Sequence, residues 1–130
     1  MCCLKILKVI MIILTIIVII FLFVFLYLLQ GLKDGENVAI NSIDTATLAD
    51  GVYSGQYQGG RWSNQLNVTV ENHRITAIEI TDDITFAQKD VSDELFDRVI
   101  AEHNTTVDAV SGATVTSKAY LKAIENACNQ

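Results

Sequence analysis

The apolar and polar positions along the chain fall into three stretches of different pattern. From Val9 to Leu29 the sequence VIMIILTIIVIIFLFVFLYLL runs for 21 residues without a charge, and only Thr15 and Tyr27 carry a polar group. As a helix rising about 1.5 Å per residue, this run is about 31 Å long, close to the hydrocarbon thickness of a bilayer. It predicts one membrane-spanning helix. The apolar core of a cleaved signal peptide is shorter, about 7–15 residues, and ends at a small-residue cleavage site. The exit here, FLYLLQGLKDGEN, has no such site, which favours an uncleaved anchor over residues 1–30. From Gln30 to about Leu48 small and polar residues follow with no firm period, the pattern of a flexible tether over residues 31–48.

In residues 49–130 the period first is two and then lengthens. Tyr53, Gly55 and Tyr57 stand at every second position and predict a strand, which Gly59 and Gly60 end. Leu66, Val68 and Val70 alternate with Asn67, Thr69 and Glu71, as in a half-buried strand. The pair Asn72-His73 marks a turn, and ITAIEI, from Ile75 to Ile80, supplies the returning strand of a hairpin. From Asp90 onward Val91, Leu95, Phe96, Val99 and Ile100 fall at helical spacing opposite Asp93, Glu94, Asp97 and Arg98. Asp90 is the expected N-cap of this helix and Asn104 its expected stop. Tyr120, Ala123, Ile124 and Ala127 recur at i, i+3, i+4 and i+7 and predict a short terminal helix. The fold class that follows is α+β, a small antiparallel sheet packed with two helices, preceded by one N-terminal transmembrane helix.

Charge narrows the partners. Lys5 and Lys8 precede the apolar run, whereas Lys33 beyond it is followed at once by Asp34 and Glu36. That bias places the N-terminus in the cytoplasm and the remaining domain outside the cell membrane. Without Lys5 and Lys8 the outer part carries seven basic residues against 15 acidic ones, a balance of −8. Nucleic acid and an anionic membrane surface both require clustered Lys and Arg, so neither is an expected partner of the domain. Membrane lipid contacts the chain through residues 9–29 alone. Of the three cysteines, Cys2 and Cys3 precede the span and only Cys128 follows it, so the domain has no internal disulfide. Cys2 and Cys3 fit juxtamembrane palmitoylation and plain membrane-edge thiols equally. Cys128 is expected as a small apolar residue on a helix face.

The densest chemistry lies in DAVSGATVTS, from Asp108 to Ser117, where Ser111, Thr114, Thr116 and Ser117 crowd around Gly112 just before the terminal helix. A Ser or Thr there can cap the helix through its side-chain oxygen. A Gly beside a helix start also lets backbone N–H groups converge on an anion, which the positive end of the helix favours. A capped turn and a phosphate-bearing ligand account for these residues equally well.

The segment Asp108-Ala109-Val110-Ser111-Gly112-Ala113-Thr114 resembles the D-x-x-[ST]-G-A-T signature of the FMN-binding domain family. That family includes flavin-carrying subunits of the sodium-pumping NADH:quinone oxidoreductase and of the Rnf complex, and flavoproteins of extracellular electron transfer. The stretches DGVYSGQYQGG and LNVTVENHRITAIEI are similar to its opening strand and hairpin. The resemblance implies FMN held covalently, through a phosphoester to Thr114, by a separate flavin transferase that uses FAD and magnesium. It implies that Asp108 is read by the transferase, with Ser111, Gly112 and Ala113 completing the recognised segment and Thr116 capping the helix or bonding the phosphate. The implied function is that of a membrane-anchored, extracytoplasmic electron carrier with a membrane redox donor or acceptor. A reversible FMN or phosphate-ligand module and a non-redox anchored interaction domain are the rival readings. Tyr53, Tyr57 and Trp62 are the aromatic residues nearest the sheet; these and Arg61, a candidate to oppose negative charge on a reduced flavin, read first as ordinary core or surface residues. No Cys-rich cluster motif or dinucleotide fingerprint points to a self-sufficient reductase.

Overall fold

The alternating stretches become three strands of one antiparallel sheet. In the computed structural model, which describes residues 1–129, β1 (Gly51–Tyr57), β2 (Asn64–Glu71) and β3 (Arg74–Asp82) lie in the order β1-β2-β3. Asn72 and His73 form the β2–β3 turn with φ of 52° and 61°. Two successive positive φ values match the right-handed twist of a hairpin, and Asn tolerates that region better than most residues. The register sets Leu66, Val68 and Val70 opposite Gly55, Tyr53 and Gly51 on one side and opposite Ile80, Ile78 and Ile75 on the other. The three β2 side chains are fully buried, so the period-two pattern marks the core face.

Two helices cover that face, as the α+β reading expects. The helix α3 (Lys89–Glu102) buries Leu95, Phe96 and Val99, and α4 (Thr114–Cys128) buries Tyr120, Ala123, Ile124 and Ala127 while packing mainly on β1 and β2. Phe96 and Tyr120 meet edge to face with ring centroids 5.5 Å apart. Cys128 is buried, and burial pushes its thiol up to about 11, which keeps it protonated and unreactive. A Cβ on Gly55 would stand 2.1 Å from the Ala123 carbonyl oxygen and 2.5 Å from the Ala127 nitrogen. Because both obstacles are backbone, Gly55→Ala is expected to cost about 2 kcal/mol of stability. The readout is the thermal unfolding midpoint followed by fluorescence of Trp62, the single tryptophan of the chain.

The α3 boundaries differ from expectation by two positions at the start and one at the end. The N-cap is Gln88, which makes no side-chain cap bond, and Asp90 lies inside the first turn. The ion pair of Lys89 with Asp93, 2.6 Å at i,i+4 spacing, draws Lys89 into the helix, and Asp90 acts on the helix dipole by its charge. The helix stops at His103, which adopts the left-handed conformation, and Asn104 follows outside it. The Asn104 amide oxygen accepts from the Thr105 and Ile43 N–H groups at 2.7 and 3.2 Å.

The larger difference concerns residues 31–48, which are folded onto the domain. They hold the short helix α2 (Leu32–Asn37) and a 3-10 turn over Thr45–Thr47. Ile43 is buried, and Val38, Ile40 and Leu48 pack against the core. The Asn41 N–H and side-chain amide donate to the Glu125 carboxylate at 3.0 and 3.1 Å, and Thr105 Oγ1 donates to the Asn41 carbonyl at 2.6 Å. A sheet of three strands leaves much of α4 uncovered on its outer side, and this segment supplies the missing apolar contacts. The folded unit accordingly starts at Gly31. Residues Met1–Gln30 form a unit of their own, the single helix α1 (Cys2–Leu29), which is long and apolar enough to cross a membrane and buries none of its side chains.

Candidate functional site

The turn before α4 is built by backbone geometry rather than by hydroxyl caps. The Ala113 N–H donates to the Val110 carbonyl at 3.0 Å, and Gly112 between them has φ of 77°. A turn of this kind requires positive φ at its third residue, which is the reason for Gly at that place. Ala113 is then the N-cap of α4, with no side-chain cap bond, and Thr114 is the first helical residue. The expectation that a Ser or Thr caps this end is thus not met, because the residue at the cap has no hydroxyl. The unpaired N–H groups of the first helical turn stay directed outward, where they attract negative charge.

The four hydroxyls separate into different environments. Thr114 is exposed and Thr116 half-buried, and both line a cleft of about 440 Å³. Ser117 is fully buried, and its Oγ accepts from the Val110 N–H at 3.0 Å, which fixes the turn from beneath. Ser117→Ala is expected to cost about 1–2 kcal/mol, measured by urea unfolding, because a buried backbone donor loses its acceptor. Ser111 is exposed and faces a second hollow, together with Asp108, on the side of α3. Of the residues singled out by the sequence, the structure therefore brings Gly112, Ala113, Thr114 and Thr116 together in one cleft and sets Asp108 and Ser111 on the adjoining surface.

Arg98 holds that adjoining segment in place. Its guanidinium donates to the Asp108 and Ala109 carbonyls at 2.9 and 3.3 Å while pairing with Glu94. The helical pattern puts Arg98 on the face of α3 opposite its apolar residues. Its contact is ten residues away along the chain and has no local signature.

The opposite wall of the cleft comes from the turn after β1 and the loop after β3. Trp62 and Ile84 are buried in its floor, and Arg61, Phe86 and Gln88 border it. The loop is pinned at two points. Tyr120 donates its hydroxyl to Asp83 Oδ1 at 2.5 Å, and the Thr85 N–H donates to the Arg61 carbonyl at 2.9 Å. Burial and then the bond to Asp83 raise the Tyr120 hydroxyl, so this tie keeps its proton throughout the physiological range. The Arg61 guanidinium lies 4.1 Å from the Trp62 ring centroid and 5.5 Å from that of Phe86. Its Nε is buried without a hydrogen-bond partner among the described residues. Among the described residues no carboxylate lines the cleft, although the whole chain carries a net charge of −6.

The FMN-binding domain profile matches residues 60–129 of this chain, more than half its length. The chain belongs to the FMN-binding domain family. An uncharacterized protein of Treponema pallidum (strain Nichols) is 34% identical over 88 residues, an alignment that takes in 65% of this chain and 24% of that protein. The chain thus spans about a quarter of the length of that relative.

The residues of this FMN-binding domain fit the group. The uncapped N-terminus of α4 suits a phosphate, and the floor of Trp62 and Ile84 with the exposed ring of Phe86 suits a flat, partly apolar ring system. The Arg61 side chain, with no carboxylate among the described lining residues, suits an anion. Among the aromatic residues singled out by the sequence, only Trp62 lines the cleft. Tyr57 is buried in the core, where burial and then Asp34 raise its hydroxyl, and Tyr53 donates to the Ala49 carbonyl at 2.7 Å. Ile84, Phe86 and Gln88 are site residues that the period of the sequence did not show. The one available signal was an exposed Phe inside the polar run TDDITFAQKD.

Proposed function

We propose that the domain carries FMN as a phosphoester on Thr114 and acts as a membrane-anchored electron carrier. The observation that carries this reading is the position of Thr114, exposed as the first residue of an uncapped helix and at the edge of the cleft. In the attachment step the Thr114 hydroxyl oxygen attacks the flavin-side phosphorus of FAD, AMP leaves, and the hydroxyl proton is lost to solvent or to the transferase. A flavin transferase with magnesium supplies the catalysis, and Asp108 with Ser111, on the neighbouring surface, offers it a place to bind. Thr116, half-buried two residues further into the helix, serves the phosphate rather than the cap.

The bound flavin supplies reversible electron uptake and release, and the chain supplies attachment and surroundings. Lys5 and Lys8 ahead of the span favour a cytoplasmic N-terminus and an extracytoplasmic domain. Outside the cell a dissociating cofactor would be diluted, whereas an esterified one keeps a high effective concentration near its membrane redox donor or acceptor.

The test is to co-produce the full chain with an active flavin transferase and separate it on a denaturing gel. Flavin fluorescence is expected to travel with the polypeptide. Flavin that leaves on denaturation would favour the reversible FMN-binding reading.

A further inference from the structure

We infer that Arg61 faces the flavin ring and raises its reduction potential by stabilising the negative charge that reduction brings. The inference rests on the flavin reading above and adds to it the residue that tunes the cofactor. Its first support is placement. Arg61 is stacked on Trp62 and Phe86, at 4.1 and 5.5 Å from their centroids, and so belongs to the aromatic wall suited to the ring. The phosphate has a different host, the N-terminus of α4, beyond Ala113.

The second support is charge. Among the described residues Arg61 is the one cation lining the cleft and no carboxylate accompanies it, in a chain with 15 acidic residues against nine basic ones. The third is that its Nε is buried and its guanidinium lies over the Trp62 ring, so the charge is held against the cleft wall rather than swinging free into solvent. A planar, permanently charged donor of this kind is suited to a delocalised anion. Reduction adds two electrons and one proton to the ring and leaves one negative charge. The electrons come from a reduced membrane carrier in the cell and from dithionite in the experiment below. A fixed positive charge beside the ring favours that product over the oxidised form.

The experiment uses the flavin-loaded full chain in detergent as wild type, Arg61→Gln and Arg61→Lys. Flavin content is measured by absorbance after denaturation, and the midpoint potential by dithionite titration against reference dyes. All three proteins are expected to carry flavin. Arg61→Gln is expected to lower the reduction equilibrium about tenfold, which for a two-electron couple is about 30 mV, and Arg61→Lys to keep most of the wild-type value. A second measurement needs no variant to fold. The pH at which the wild-type potential changes slope is expected to lie below that of free FMN, because a neighbouring cation disfavours protonation of the reduced ring. Equal potentials in wild type and Arg61→Gln, or a slope change at the pH of free FMN, would overturn the inference. A folded Arg61→Gln protein without flavin, beside a loaded wild type, would also overturn it and make Arg61 a loading residue. Absence of flavin from the wild type would instead reject the flavin reading on which the inference stands.

Discussion

Thr114→Ala is expected to reduce covalently held flavin to background, with Thr116→Ala still loaded. Only one of the four hydroxyls in the turn combines exposure with a place at the cleft edge. Ser117 is fully buried and already accepts the Val110 N–H, so its oxygen is not available as a nucleophile. Ser111 faces the hollow on the α3 side, and Thr116 is half-buried two residues further into the helix. The substitution removes an exposed hydroxyl that caps nothing, so stability should change by no more than about 0.5 kcal/mol. Loss of flavin would then report chemistry rather than unfolding. Loss in Thr116→Ala with retention in Thr114→Ala would move the attachment point by two residues.

Glu125→Ala is expected to destabilise the fold by about 3 kcal/mol. The Glu125 side chain is only 6% exposed and accepts from the Asn41 N–H, the Asn41 amide and Lys122 Nζ. Its removal would leave both Asn41 donors without their acceptor and loosen the hold of α4 on residues 31–48, while Lys122 Nζ keeps the Ala39 carbonyl. Burial alone would raise the carboxyl, but the bonds from Lys122 and Asn41 outweigh it and hold the group below its ordinary 4.5. The sign follows from linkage. A carboxyl with a lowered value in the fold contributes its stability fully above about 4.5, and that contribution is lost as pH falls through the lower, folded value. Unfolding curves read by Trp62 fluorescence should therefore show wild type and Glu125→Ala furthest apart near pH 7 and converging in acid. A constant gap down to strongly acid pH would mean that the carboxylate charge plays no part.

Where one face of an element is buried, its pattern was legible. Leu66, Val68 and Val70 fall on the core side of β2, and Tyr120, Ala123, Ile124 and Ala127 on the core side of α4, because packing enforces the period of each element. The part hidden from sequence is held by contacts between distant segments. Val38, Ile40 and Ile43 are too sparse to define a period, yet each packs once α4 is present to receive it. The cleft shows the same division. Gly112 to Thr116 were visible as a compact signature, whereas Ile84, Phe86 and Gln88 reach the site only because Tyr120 and the Arg61 carbonyl hold their loop. The hydroxyl cluster was visible as chemistry but not as geometry. Hydroxyl side chains usually signal a cap, and here the cap is Ala113 while Ser117 works from below.

The most direct test of the account is the intact mass of the denatured full chain after co-production with a flavin transferase shown to modify a known target. A shift equal to one FMN less one water is predicted, absent from Thr114→Ala. An unshifted mass in the wild type would contradict covalent attachment and leave the cleft as a site for reversible FMN binding.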